Sequence, residues 1–457
     1  MAGALGADMY TGAVSRSGQL ASLLVAPLLG LACPSADAQQ VLETTLDNGL
    51  RVLLQEDHRS PVASFQVWYR VGSRDERVGL TGLSHYLEHM MFKGTPTYGA
   101  RVFSKLIETA GGQENAFTSR DVTAYHVTIA ADQLDLVLEL EADRMRHLLL
   151  DAREVEAEKR VVMEERRTRT EDDPIGGLAE LFNLTAFAAH SYRLPTIGFA
   201  QDIERLSAAD LRAWYDTYYR PNNAILVAVG DFQAADLLAK VRLRFGGIPR
   251  GPDPPAVAVI EPEQRGERRV WLRKEAQLPV VFAGYPTPNH GSADAYALEV
   301  LSTVLSGGRT SRLYRRLVYE ERLALEAGGD YSALTLDPDT FTFYVTVLPG
   351  RTVEEAERTL DVEVARLRTE LVLDEELQRA KNQLEAAYLF GQDSVFNRSA
   401  TLARYELLGG WRLRDGYLPG IRAVTREDVR RVAERHLVTE RRTTAVLVPV
   451  AGGAAGR

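Results

Sequence analysis

An α+β chain of two duplicated α/β-sandwich domains follows from three features of the sequence. Apolar β-type runs alternate with long amphipathic helical patterns, which layer as sheet and helix. A proline- and glycine-rich stretch at residues 246–267 divides the chain. The element order is similar on its two sides, an internal duplication that is weak at the level of residue identity. The 457 residues are 45% hydrophobic and 26% charged, ordinary for a globular protein of two domains. Asp plus Glu total 63 against 54 Lys plus Arg, a net charge of -9. That balance argues against a nucleic-acid binder, which needs a basic face against phosphates. The single cysteine excludes a disulfide framework or a thiolate metal site within the chain.

In chain order, residues 20–33 (LASLLVAPLLGLAC) form an uncharged apolar run preceded by Arg16 and followed by Ala36-Asp37-Ala38. Basic flank, short apolar core and A-x-A site predict a signal peptide over residues 1–38, and hence a secreted or periplasmic protein. An uncleaved membrane anchor is the alternative; no other integral membrane segment is expected. The first domain, 41–245, opens on a hairpin-turn signal at residues 45–49. A strand at 62–71 and a helix at 84–92 follow, then helices at 132–150 and 152–171 and a strand at 224–229. The linker, 246–267, holds Gly251, Pro252, Pro254 and Pro255 within six residues. The second domain, 268–450, reads as strands at 269–272 and 280–285, then a helix at 293–305. Helices at 353–371 and 375–389 and a strand at 443–450 complete it. Residues 451–457 are a flexible tail.

Within the first apolar helix lies His85-Tyr86-Leu87-Glu88-His89. Positions i, i+3 and i+4 share a helix face, so both imidazoles and the carboxylate can converge on one point. Two neutral imidazoles at this spacing suit Zn²⁺, and the adjacent glutamate can take a proton from water. The order H-x-x-E-H is that of the inverzincins. Such a centre needs a third protein ligand. The carboxylate-rich helix at 152–171 offers Glu158 and Glu165, seven apart and therefore on one face. One can reach a metal while the other supports it. His126 and His147 read as structural, and the pairs Arg166-Arg167 and Arg430-Arg431 as solvated helix faces.

The HxxEH motif and the distant E-x6-E pair together resemble the pitrilysin/insulysin and mitochondrial processing peptidase family. Residues 111–118 (GGQENAFT), His190-Ser191-Tyr192, residues 219–223 (YRPNN) and Ala380-Lys381-Asn382 fit its pattern as well. The resemblance spans about residues 41–450. It implies a clamshell half of two similar domains, each a mixed sheet with helices packed on it. It implies one Zn²⁺ per chain, held by His85, His89 and Glu165. Glu88 is then the general base, and Glu158 a catalytic-site carboxylate orienting a ligand. Asn115, Ala116 and Phe117 are then the edge that holds a peptide substrate as an added strand.

The second domain lacks HxxEH, so it is expected to be non-catalytic. Active relatives supply from that half an Arg and, seven positions on, a Tyr. Here those positions fall on Val318 and Leu325, while Arg312 and Tyr319 share the spacing out of register. This departure predicts a zinc-free homologous partner subunit that supplies the pair, with a homodimer as the alternative. The expected function is a zinc-dependent endopeptidase acting on peptides inside an enclosed chamber. The competing class is a non-catalytic assembly subunit of the same fold.

Overall fold

The structure, a computed structural model, describes residues 40–450. The expected signal peptide and the C-terminal tail lie outside the described residues. The first sheet contains β1 (Val41–Thr45), β2 (Arg51–Glu56), β3 (Val62–Tyr69), β4 (Gln113–Thr118), β5 (Thr123–Ala130) and β6 (Ala224–Gly230). Its spatial order is β1-β2-β6-β3-β5-β4. Only β2 and β6 pair in parallel. Strand β6, AILVAVG, is buried along its whole length, as a strand covered on both faces must be.

The second sheet contains β7 (Arg268–Glu275), β8 (Val280–Thr287), β9 (Ala324–Asp330), β10 (Asp339–Val347) and β11 (Thr443–Val450), in the order β7-β11-β8-β10-β9. Its one parallel pair is β7 with β11. With β1 set aside, the first order maps onto the second strand for strand, parallel pair included. The duplication is therefore topological, and the molecule is α+β with two mixed, open sheets.

Helices α1 (Leu83–Met90), α2 (Val102–Thr109), α3 (Leu134–His147) and α4 (Ala152–Arg166) follow the first strands. Next come α5 (Pro174–Ala186), α6 (Ala200–Arg205), α7 (Ala208–Tyr218) and α8 (Ala234–Phe245). The second half carries α9 (Ala295–Ser306), α10 (Val353–Thr369), α11 (Asp374–Gly391), α12 (Val395–Leu407), α13 (Tyr417–Ala423) and α14 (Arg426–His436). Residues 249–265 form neither helix nor strand. The helix expected over 152–171 is regular to Arg166 and then widens, with the Asp172 amide donating to the Arg167 carbonyl at 2.7 Å. Wide turns of this kind are rare, and where they occur they frequently lie at functional sites.

Alternation along the strands divides two cores. Phe65, Val67 and Tyr69 on β3 face Tyr86, Leu87 and Met90 of α1 and the residues of α3. Trp68 faces the other way, into a cluster with Leu53, Ile225, Val227 and Val229 that is closed by Leu402 and Ala403 of α12. The relation is reciprocal. Leu178, Phe182 and Ala186 of α5 cover Val280, Ala445 and Leu447 on the second sheet. Each sheet is thus covered on one face by its own half and on the other by a helix from the opposite half. A buried Asp57–Arg398 ion pair adds to the junction. So does Asp121, which accepts from the Tyr192 hydroxyl and, at 3.0 Å, from the Leu336 amide.

Candidate metal centre

Helix α1 starts at Gly82, whose φ of 86° lies in the left-handed region. Glu76, buried in the preceding loop, caps it from outside. Its two oxygens accept the Gly82 and Ser84 amides, each at 2.7 Å, and so satisfy donors that a helix start leaves open. Leu87 and Met90 are fully buried and fix the rotation of the helix. His85 and His89 are thereby turned toward Glu158 and Glu165 of α4, and Glu88 toward Thr118 of β4. Helix α4 is capped by Asp151, whose carboxylate accepts the Arg153 and Glu154 amides. The Tyr86 hydroxyl donates to the Val155 carbonyl and ties the two helices together.

The structure brings His85, His89 and Glu165 together. His85 Nε2 lies 3.6 Å from Glu165 Oε1, and His89 Nε2 lies 3.3 Å from Glu165 Oε2. One ligand atom from each residue falls in a set no wider than 4.8 Å. Ligands of a tetrahedral zinc about 2.0–2.1 Å away sit roughly 3.3 Å apart, so the two His–Glu separations fit. The donor types, two imidazoles and a carboxylate, also suit zinc. Among the described residues this is the one such group of three.

Glu158 holds His89 from behind, with His89 Nδ1 2.9 Å from Glu158 Oε1. A proton on Nδ1 shared with that carboxylate leaves Nε2 as the lone-pair nitrogen. Lys93 contacts the other Glu158 oxygen. In the metal-free chain burial opposes a charge on His89, but the hydrogen bonds to Glu158 and Glu165 outweigh it and push its pKa up to about 9, so a metal ion at Nε2 would take the place of a proton there. Burial likewise opposes the Glu165 charge, yet His85 and His89 hold that carboxyl well below the usual range. Arg169, one turn beyond Glu165 on the same face, places Nη1 2.6 Å from Glu165 Oε1. Glu88 stands apart from the three-donor set, and its Oε2 accepts the Thr118 hydroxyl at 2.5 Å.

Asn115, Ala116 and Phe117 lie on β4, the terminal strand of its sheet, which pairs with β5 alone. The Ala116 amide donates to Asn115 Oδ1 at 2.9 Å. The Phe117 ring packs edge-on against Trp68, 5.3 Å between centroids, so this side chain anchors the strand. Sequence reasoning missed Thr118, Lys93, Arg169 and Glu76. Thr118 ends the GGQENAFT stretch, but nothing in the chain order announced its contact with a helix 30 residues earlier.

One expectation is corrected. Arg166 is not on a solvated face: it is 6% exposed. It forms a two-pronged ion pair with Glu180 at 2.9 and 3.0 Å and donates to the Gly198 carbonyl at 2.6 Å. A buried guanidinium is tolerated because these acceptors replace water. Its neighbour Arg167 is half-exposed and pairs with Glu164. His126 sits on β5 against Phe396, and burial lowers its pKa to about 4, as for a neutral histidine packed in the fold.

In the second half, Val318 packs against the core and Leu325 is exposed. Arg312 is buried in a two-pronged pair with Glu376, at 2.8 and 2.7 Å. Tyr319 projects into solvent.

Fold and donor set together define a class: a duplicated α+β sandwich with a two-histidine, one-carboxylate centre on its first half. The chain belongs to peptidase family M16. Residues 51–198 match the model described as insulinase (peptidase family M16), and residues 205–384 match the peptidase M16 inactive domain. An uncharacterized zinc protease of Mycobacterium tuberculosis is 35% identical over 413 residues, 89% of this chain and 92% of that one. The crystal structure of a protease from Helicobacter pylori superposes with a TM-score of 0.87 at 31% identity, covering 90% of this chain and all of that one. The periplasmic protease PqqL from Escherichia coli shares the fold, with a TM-score of 0.75 at 19% identity. The match takes in 93% of this chain but 50% of that one.

Proposed function

We propose that this chain is a zinc-dependent endopeptidase that hydrolyses peptides or unfolded polypeptide segments. His85, His89 and Glu165 hold one zinc ion, and Glu88 is the general base. The observation that carries the reading is the meeting of three donors from two separate helices beside a carboxylate that is not one of them. Zinc bound there supplies Lewis acidity and lowers the pKa of a coordinated water. The Thr118 hydroxyl steadies Glu88 through Oε2. The other oxygen, Oε1, takes the proton of the attacking water and returns it to the leaving amine. Glu158 orients His89 through Nδ1. The substrate backbone adds as a strand along the free edge of β4, where main-chain hydrogen bonds tolerate varied sequences.

The chain acts as the catalytic subunit of a dimer enclosing a chamber, in the periplasm or outside the cell. Support for pairing comes from Val318 and Leu325, which cannot donate to a developing oxyanion. Arg312 is already held by Glu376. Loss of such a donor costs about two to three orders of magnitude in rate. A partner subunit, zinc-free or a second copy, supplies it. The fold of PqqL, twice as long as the matched segment, is consistent with two such units in one assembly. Support for export comes from the apolar run at residues 20–33.

The test is metal analysis with fluorogenic-peptide hydrolysis, comparing the wild type with Glu88→Gln, each with and without a zinc-free homologue. Glu88→Gln is expected to retain metal and lose turnover; persistent turnover removes Glu88 as the base. Full activity of the purified chain as a monomer removes the partner requirement. Bound zinc without hydrolysis under any pairing favours an assembly subunit.

A further inference from the structure

The proposed ligands come from two helices that are far apart in sequence, and the spacing of those helices decides whether the donors fit one ion. At one end, α1 and α4 are joined directly through Tyr86 and His89. At the Glu165 end, beyond the contacts of the ligand side chains with one another, the connection between the helix backbones is indirect. Arg166, the residue after Glu165, donates to the Gly198 carbonyl at 2.6 Å while Glu180 on α5 grips the same guanidinium. Gly198, with φ +89°, lies back to back with Gly82, with φ +86°, the residue that starts α1 three positions before His85. A Cβ on Gly198 would sit 2.6 Å from the Gly82 Cα, and one on Gly82 would sit 2.7 Å from the Ile197 carbonyl oxygen. Neither backbone can retreat freely. Asp202 Oδ2 holds the Gly79 and Thr81 amides at 3.0 and 3.2 Å and the Thr81 hydroxyl at 2.6 Å, and that hydroxyl accepts the Phe199 amide at 2.9 Å.

We infer that Glu180, Arg166, Gly198 and Gly82 form a spacer that sets the distance between Glu165 and His85, and thereby the affinity and geometry of the metal centre. These are positioning residues; none contacts the ion. The inference rests on the reading of His85, His89 and Glu165 as ligands. Side chains that only orient ligands still change metal affinity by about 10–100-fold when altered. A lysine at position 166 keeps the charge but cannot reach Glu180 and the Gly198 carbonyl with a planar fork. An alanine at 198 meets both the positive φ and the Gly82 backbone.

The test compares Arg166→Lys, Glu180→Gln and Gly198→Ala with the wild type, with half-exposed Arg167→Lys as control. Zinc dissociation constants are measured by competition with a chromophoric chelator, and the visible d–d spectrum is recorded after cobalt(II) loading. The three variants are expected to bind zinc about 10–100-fold more weakly and to show altered cobalt spectra, with Arg167→Lys unchanged. A role confined to stability would lower the melting temperature of the metal-free protein and leave the cobalt spectrum alone. The spacer is overturned when the folded variants match the wild type in zinc affinity and spectrum. Glu180→Gln, which leaves every backbone contact in place, decides the matter where Gly198→Ala does not fold. A wild type that binds no zinc overturns the ligand reading itself, and the spacer with it.

Discussion

Glu158 shows how one side chain governs a neighbour's chemistry. Its Oε1 holds His89 Nδ1, so His89 presents Nε2 toward Glu165. Glutamine at 158 preserves the shape but not the charge that favours a proton on Nδ1. We expect Glu158→Gln to weaken zinc binding by about 10–100-fold with the fold intact, measured by chelator competition and far-UV circular dichroism. Wild-type affinity would reduce Glu158 to a partner of Lys93. At this scale the sequence was informative where chemistry is local. The i, i+4 histidines are a property of one helix and can be read from spacing. Seven-residue spacing put Glu158 and Glu165 on one face but did not distinguish their tasks. Arg166 was misread because its acceptors lie 14 and 32 residues further on.

Helix α9 carries Tyr296, Glu299 and Val300 at the spacing at which α1 carries His85, Glu88 and His89. The carboxyl of Glu299 remains, but its surroundings are aromatic, and the Tyr417 hydroxyl donates to it at 2.7 Å. Burial pushes its pKa up to about 7, against the opposing pull of that hydrogen bond. The folded chain therefore keeps this proton between about pH 4.5 and 7, where the unfolded chain has lost it. Stability from this group is full below about pH 4.5, declines up to about pH 7 and is flat above. Glu299→Gln, neutral throughout, is expected to melt higher than the wild type at pH 8 and close to it at pH 4.5. Equal melting temperatures at pH 8 would show that the site accommodates the carboxylate. The elements themselves were unevenly legible. Long amphipathic helices such as α10 and α11 end within two residues of their expected limits. Strand β9, ALEAGGD, has two glycines and a glutamate and no β pattern; its pairing with β10 makes it a strand.

For the whole molecule, duplication predicts two domains that fold separately, but α5 and α12 contradict independence. An amphipathic pattern says that a helix buries one face; it does not say which sheet receives it. Here each sheet is closed by the helix of the other half. In isolation, the first half would expose Leu53, Trp68, Ile225, Val227 and Val229, which α12 now covers. A contiguous apolar face of that kind is an aggregation surface. Two consequences can be measured. Leu402→Ala, at a fully buried position, is expected to cost about 2–5 kcal/mol. That loss should lower one common calorimetric transition, because a residue of the second half stabilises the sheet of the first. Residues 40–245 expressed alone should bind the dye ANS, aggregate and fail to hold zinc, although all three proposed ligands are present. A soluble, monomeric 40–245 fragment with the zinc affinity of the full chain would show that the reciprocal helices only decorate two autonomous domains. The metal centre would then owe nothing to the second half.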